Sequence, residues 1–364
     1  MDHDQIVQLK NLIQQALNLQ SHLSLDTRVL TPVNLVEERV KFLKSKTYNP
    51  QFKYIKKPIS VSEDDITKLQ TKLVDLDLPT DLSDFYLTAI EQMKTQLKTV
   101  QAIGTANFAS FSGRLFTITQ TTTDLYLNQV PQVDFNTKTG HQLLDAEKIR
   151  QRFEAVIRNY ALSDVEVILD DFNPYTVRTG SKRLIVGSGI HRYDNNVERL
   201  ITHEIESHII RRKSLIQIAN VLHRFAPFDK SILFSEGLAV YNEINQKKIT
   251  KSAMNTYIQR LQAVNKLDLG FRDIYNYLIN FIKPGLAFVM TYRVKRGMTD
   301  TSLPGGYEKD AYYLMGYFEV KDFVDKGGDL KSLYSFAVPG LEILLKKYNL
   351  ASDKEPLLPK FLTL

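Results

Sequence analysis

The chain of 364 residues predicts an α+β fold that is mainly helical, with a small mixed sheet placed ahead of two polar, chemistry-bearing helices. Three observations carry that expectation. Long stretches repeat apolar residues at helical spacing, while strand-type alternation is confined to about residues 165–186. Hydrophobic residues make up 43% of the chain and charged residues 24%, which allows a packed core and argues against disorder. Helical segments carrying His and Glu follow directly on the strand region.

Taken in order, Ile6, Leu9, Leu12, Ile13, Leu17 and Leu19 recur at near-helical spacing, so residues 1–30 read as one amphipathic helix. A second helix is expected from Val33 to Leu43, stopped by the turn-forming run Lys44-Ser45-Lys46-Thr47-Tyr48-Asn49-Pro50. Ser62 offers an N-cap hydroxyl, and Glu63, Asp64 and Asp65 place acids in the first turn of a third helix. Leu82 to Val100 carries a fourth. Residues 1–100 thus form an N-terminal helical layer, and residues 101–364 hold the chemistry. Phe108 to Thr123, rich in Thr, Phe and Gly, is expected to be irregular or partly extended. Leu144 to Tyr160 is an amphipathic helix, and Val165 to Leu169 a strand. Thr176-Val177-Arg178 and Arg183-Leu184-Ile185-Val186 flank a glycine turn, Thr179-Gly180-Ser181-Lys182, as a β-hairpin. The next helix should begin near Asp194 or Asn195, natural N-caps, and run past Arg212. Helices then follow over Ser231 to Asn245, Met254 to Val264 and Phe271 to Ile282. The tail is aromatic and charged at Tyr292 to Gly297 and at Tyr307 to Val320.

Composition removes several function classes. Without cysteine there is no disulfide framework, no thiolate metal site and no cysteine nucleophile, which leaves His, Asp and Glu as ligands. The net charge of +6, from 47 basic against 41 acidic residues, permits an acidic partner without demanding one. The lysine cluster Lys41, Lys44, Lys46, Lys53, Lys56 and Lys57 reads as a solvated face, and no nucleic-acid-binding motif accompanies it. No apolar run reaches the roughly 18 residues of a membrane span; Tyr277 to Met290 is broken by Lys283-Pro284-Gly285. The polar start Met1-Asp2-His3-Asp4-Gln5 is unlike a secretory signal, so a cytoplasmic protein with no membrane or nucleic-acid partner is expected.

The chemistry concentrates in His203-Glu204-Ile205-Glu206-Ser207-His208 and, further on, Ser235-Glu236-Gly237-Leu238-Ala239. Two neutral imidazoles and one carboxylate can fill three corners of a tetrahedral Zn²⁺, and another carboxylate beside the fourth corner can take a proton from water. The spacing is one residue longer than His-Glu-x-x-His. In an α-helix, positions i and i+4 lie about 40° apart and converge, whereas i and i+5 lie about 140° apart. Both histidines reach one ion only if the helix absorbs the extra residue, most simply as a π-bulge. A helix distortion between His203 and His208 is therefore predicted. Glu204 is preferred over Glu206 as the base because it directly follows the first histidine. His223, without a partner motif, reads as structural. Gly237 inside an apolar helix costs about 1 kcal/mol against Ala, so close packing of this helix on a neighbour is expected. Glu243, seven residues after Glu236, suits either a bond to the second nitrogen of His203 or His208, or a surface salt bridge.

These motifs resemble the flavohemoglobin expression-modulating QEGLA-motif proteins, related to the microtubule-associated tyrosine carboxypeptidases and sometimes called minigluzincins. Further matches are Asn49-Pro50-Gln51-Phe52, Arg293-Val294-x-Arg296-Gly297 and Lys309-Asp310-x-x-Tyr313-Leu314-x-Gly316, in the family's order and over most of the chain. The resemblance implies a zinc metallopeptidase domain over residues 101–364 with a gluzincin-like pair of metal-binding helices. His203, His208 and Glu236 would be the ligands of Zn²⁺, and Glu204 the general base. Tyr313 leads Tyr312 and Tyr292 as oxyanion donor, because it falls in the family pattern. Arg293, Arg296 and Lys309 would bind the substrate's terminal carboxylate. The implied activity is removal of a C-terminal residue from a peptide or protein; a non-hydrolytic, metal-binding regulatory protein is the alternative. Ser235 stands where the family name quotes Gln. Arg211-Arg212-Lys213 and an Ile/Leu-rich stretch replace the family's Asn-Gly and Gln-Pro segment, close to where substrate is expected.

Overall fold

The computed structural model describes residues 1–56, 58–135, 142–171, 176–180 and 182–363. Its architecture is α+β and mainly helical, as expected. The N-terminal part holds α1 (His3–Gln20), α2 (Leu35–Lys44), α3 (Glu63–Asp75) and α4 (Thr80–Gln101). The first helix stops ten residues short of the expected end. Asp2 opens it with a capping box to Gln5, and Ser62 opens α3 in the same way with Asp65, two reciprocal bonds that satisfy otherwise orphaned N–H groups. Lys44, Lys46, Lys53 and Lys56 are exposed and Lys41 pairs with Glu37 and Glu38; Lys57 lies outside the described residues.

The segment expected to be irregular is helical instead: α5 (Phe108–Phe116) and α6 (Gln120–Leu127). Phe108, Leu115 and Phe116 are buried, and Thr119 caps α6 through the Thr122 N–H, so burial and a cap override weak local propensity. A short strand, β1 (Leu143–Asp145), then precedes α7 (Ala146–Asn159), which the sequence had read as continuous helix.

The sheet is mixed and small. Strands β2 (Glu166–Asp170), β3 (Val177–Thr179) and β4 (Arg183–Gly187) lie in the order β2-β4-β3. Strands β3 and β4 form the expected antiparallel hairpin, while β2 runs parallel to β4. Ser181 of the turn lies outside the described residues. Leu184, Ile185 and Val186 of β4 are all buried, as befits a central strand. Strand β5 (His191–Tyr193) pairs with β1 and leads into α8 (Asp194–Leu200). Tyr193, rather than Asp194 or Asn195, takes the cap position, and it makes no side-chain cap bond.

From α8 the chain continues without a break into a π-helical segment, Ile201–Ile209, and then α9 (Ile210–Gln217). The remaining helices are α10 (Phe228–Asn245), α11 (Lys251–Asn265), α12 (Phe271–Leu278), α13 (Pro284–Lys295), α14 (Tyr312–Asp325), α15 (Ser332–Ser335) and α16 (Leu341–Lys347). The α12 helix ends at Leu278, four residues before the expected stop. Three apolar clusters organise them: one centred on α10 to α14, one joining α1, α3 and α4 to α16, and one beneath the sheet and the π segment. Leu30, Phe42 and Phe52 enter the first cluster, and Phe225 and Leu341 the second, so the N-terminal helices share apolar cores with the later chain. Among the described residues no helix is long and apolar enough to cross a membrane.

α10 is the element on which the site depends. It packs along α14 on one side and on the π segment on another. The α14 crossing is backbone-close: a Cβ on Gly237 would lie 2.1 Å from the Gly316 carbonyl oxygen, and one on Gly316 only 2.3 Å from that of Leu233. No side chain fits at either position, which accounts for glycine inside α10 despite its helical cost.

Candidate metal centre

The extra residue between His203 and His208 is absorbed by a full π-helical segment rather than a single bulge. Its effect is the one the spacing demanded. The two imidazole rings sit with centroids 4.9 Å apart, nearly perpendicular, on one side of the helix. Ser207 Oγ donates to Thr202 O, five residues back, at 2.8 Å, which ties the segment in this wound-out form. Asn242 of α10 donates to Ser207 Oγ and to the Tyr334 hydroxyl, both at 2.9 Å, so the segment is also held from across the core.

Glu236 reaches the imidazoles from α10. Its Oε2 lies 3.6 Å from His208 Nε2 and 3.9 Å from His203 Nε2, and one ligand atom from each of the three residues falls within 4.8 Å of the others. The other oxygen, Oε1, accepts from Lys309 Nζ at 2.8 Å. Oε2 is buried with no hydrogen-bond partner, although buried carboxylate oxygens are nearly always satisfied. A cation between Oε2 and the two Nε2 atoms would satisfy it. A tetrahedral ion with bonds of about 2.0 Å needs ligand atoms about 3.3 Å apart, so a small inward movement suffices. The residues fit a metal.

Both histidines are fixed from behind. His203 Nδ1 donates to Glu243 Oε1 at 2.7 Å, leaving Nε2 as the free lone pair. The same Glu243 oxygen accepts from Arg199 at 2.7 Å and from the Tyr257 hydroxyl at 2.9 Å. Burial pushes the Glu243 carboxyl upward, but Arg199 and the His203 bond outweigh it and hold it below the usual range. Glu236 follows the same pattern: burial raises it, and Lys309 and the histidines bring it well below. Both carboxylates therefore stay ionised. His208 Nδ1 lies 3.2 Å from the Ser235 hydroxyl.

The two glutamates of the histidine segment separate clearly. Glu204 is buried, and one of its oxygens accepts from the Thr179 hydroxyl of β3 at 3.2 Å. Glu206 is occupied elsewhere, accepting from Tyr160 at 2.8 Å and from Thr202 at 2.9 Å. Of the tyrosine candidates, Tyr313 stacks on His203 with centroids 6.1 Å apart and on Tyr257 at 5.4 Å. Tyr312 is instead buried and donates to Phe116 O, and Tyr292 packs edge-on against Phe52. His223 is a buried structural residue: Nδ1 bonds Ser335 O at 3.0 Å, and Nε2 accepts from the Ser352 N–H at 3.1 Å.

The three cations expected to receive substrate are all engaged within the protein. Arg293 grips both oxygens of buried Asp310, and Arg296 bonds the same carboxylate at 3.2 Å while lying over the Tyr307 ring. Lys309 holds Glu236, as described above. The sequence reading missed Arg199, Thr179, Tyr257 and the contact made by Ser235. Arg199 could have been found, since it lies four residues before His203 on the same helix face. Thr179 carries no such signal, because only the docking of the hairpin brings it to Glu204.

The family model of the microtubule-associated tyrosine carboxypeptidases matches residues 40–338. MATCAP2 of Mus musculus, a protein whose name places it among the tyrosine carboxypeptidases, is 23% identical over 310 residues, covering 81% of this chain and 50% of its own length. The chain thus spans about half the length of the relative it matches.

Proposed function

Because the chain belongs to the microtubule-associated tyrosine carboxypeptidase family, we propose that it is a zinc-dependent carboxypeptidase, removing a residue from the C-terminus of a peptide or protein. The observation that carries this reading is the buried meeting of His203, His208 and Glu236, with Glu236 Oε2 unpartnered between the two imidazoles. Two neutral nitrogens and one carboxylate are a donor set suited to zinc. When bound, zinc supplies a lowered pKa for water and polarisation of the scissile carbonyl.

The protein's own residues do the rest. Glu204 takes the proton from the attacking water and returns it to the leaving amine. The Thr179 hydroxyl fixes one oxygen of that carboxylate and leaves the other for the proton. Glu243 keeps His203 in the tautomer that presents Nε2. Lys309 occupies one oxygen of Glu236, so the other is turned toward the histidines. Tyr313, stacked on His203, donates to the oxyanion of the tetrahedral intermediate. The family and the mouse relative are named for tyrosine, so a terminal tyrosine is the first residue to test.

The decisive experiment pairs elemental analysis with cleavage of C-terminal peptides by wild-type protein and Glu204→Gln. The expected result is one zinc per chain in both, with turnover in the variant reduced at least about 100-fold. Unchanged turnover would defeat the role of Glu204. Stoichiometric zinc with no cleavage of any peptide would favour a regulatory metal-binding protein.

A further inference from the structure

The run Arg211-Arg212-Lys213 sends its three cations in three directions. Arg211 is buried and donates to Leu333 O and Ala337 O, both at 2.7 Å. Lys213 pairs with Asp164. Arg212 donates through one nitrogen to the Gly180 carbonyl, and among the described residues no carboxylate forms a salt bridge with it.

Arg212 faces a cavity of about 730 Å³, within the usual range for a small-ligand site. The charged side chains lining this cavity are Arg212, Arg224 and Lys309, with no acid among them. Arg224 adds a buried Nε without a partner. Lys309, one of the residues lining the cavity, holds Glu236 Oε1 at 2.8 Å. Arg212 also lies next to the proposed chemistry. It follows His208 by four residues, about one helical turn, and the hairpin carbonyl it bonds adjoins Thr179, the partner of Glu204. Burial lowers the Arg212 guanidinium, and the charge of Glu204 lifts it part of the way back.

We propose that Arg212 receives the α-carboxylate of the substrate's last residue, and that the cavity it shares with Lys309 houses that residue. The inference rests on the carboxypeptidase reading. It replaces Arg293 and Arg296, whose guanidinium groups are taken by Asp310. A planar guanidinium beside a cavity free of acids suits a carboxylate through two parallel bonds. Arg260, which lies over the Tyr313 ring at 4.3 Å, does not line this cavity.

The test measures binding, so it is independent of turnover. Zinc-loaded protein of residues 1–364 carrying Glu204→Gln is titrated with fluorescein-labelled Gly-Gly-Ala-Tyr as the free acid and as its C-terminal amide. The acid should bind about tenfold or more tightly than the amide. Adding Arg212→Gln should abolish that preference while leaving affinity for the amide unchanged. Arg212→Lys should restore part of the preference, and Arg224→Gln should keep it. Absence of any preference for the acid in the parent overturns the proposal. So does its survival in Arg212→Gln, or its loss only in Arg224→Gln. A folded Arg212→Gln, judged by an unchanged Tm, makes each outcome readable. Peptide preference without cleavage by wild-type protein would sink the catalytic reading and leave this assignment standing.

Discussion

At the residue scale, Glu243 carries more of the site than its position suggests. One buried oxygen accepts from His203, Arg199 and Tyr257, so its loss frees the imidazole to rotate and strands a buried guanidinium. Glu243→Gln keeps the shape but weakens those bonds. Zinc affinity, read by competition with a chelating dye, should fall about 10- to 100-fold; an unchanged affinity would show that His203 needs no help. This residue was half legible in the sequence. Its seven-residue step from Glu236 placed it on the same helix face, but spacing alone could not distinguish a histidine partner from a surface ion pair. Arg293 and Arg296 show the opposite problem. Both have the right chemistry for a substrate carboxylate, and Asp310, 14 to 17 residues further on, claims them in the fold. A sequence does not announce which of its charges are spent internally.

At the element scale, two devices place the site, and both left traces in the sequence. The histidine spacing required a distorted helix, and the π segment supplies it. Glycine within α10 called for close packing, and the crossing with α14 puts two backbones in contact there. Gly237→Ala forces a methyl group to within 2.1 Å of the Gly316 carbonyl oxygen. Since backbone cannot yield as a side chain can, the helices must part, at a cost of about 3 kcal/mol or more. Thermal unfolding should register a Tm lower by several degrees, with zinc affinity falling as Glu236 moves; a Tm within a degree of wild type would contradict the close crossing. Helices α5 and α6 were illegible for a different reason. Their Thr-rich, Gly-containing sequence has weak helical propensity, and they are ordered by the burial of Phe108, Leu115 and Phe116 against the rest of the molecule.

At the scale of the whole molecule, the pH dependence of stability should carry the mark of Glu308. Burial raises this carboxyl from 4.5 to about 7, against a small opposing effect of the Ile118 N–H, and its Oε2 has no partner. The folded state therefore keeps a proton that the unfolded chain has already released between about pH 4.5 and 7. Stability should fall as pH rises through that window and then level off. Glu308→Gln removes the effect, so its Tm should exceed that of wild type at pH 8 and match it near pH 4.5. A variant with the same pH profile as wild type would refute the assignment.

One feature of α10 reaches beyond the chemistry. Leu233 and Val240 enter the first apolar cluster, Phe234 borders the second, and Leu238 belongs to the third, while Glu236 stands among them. A cation held by Glu236 would therefore sit on the helix that joins the three apolar clusters of the described residues. Binding there would stabilise the native fold by mass action, so stripping the ion away should lower the Tm.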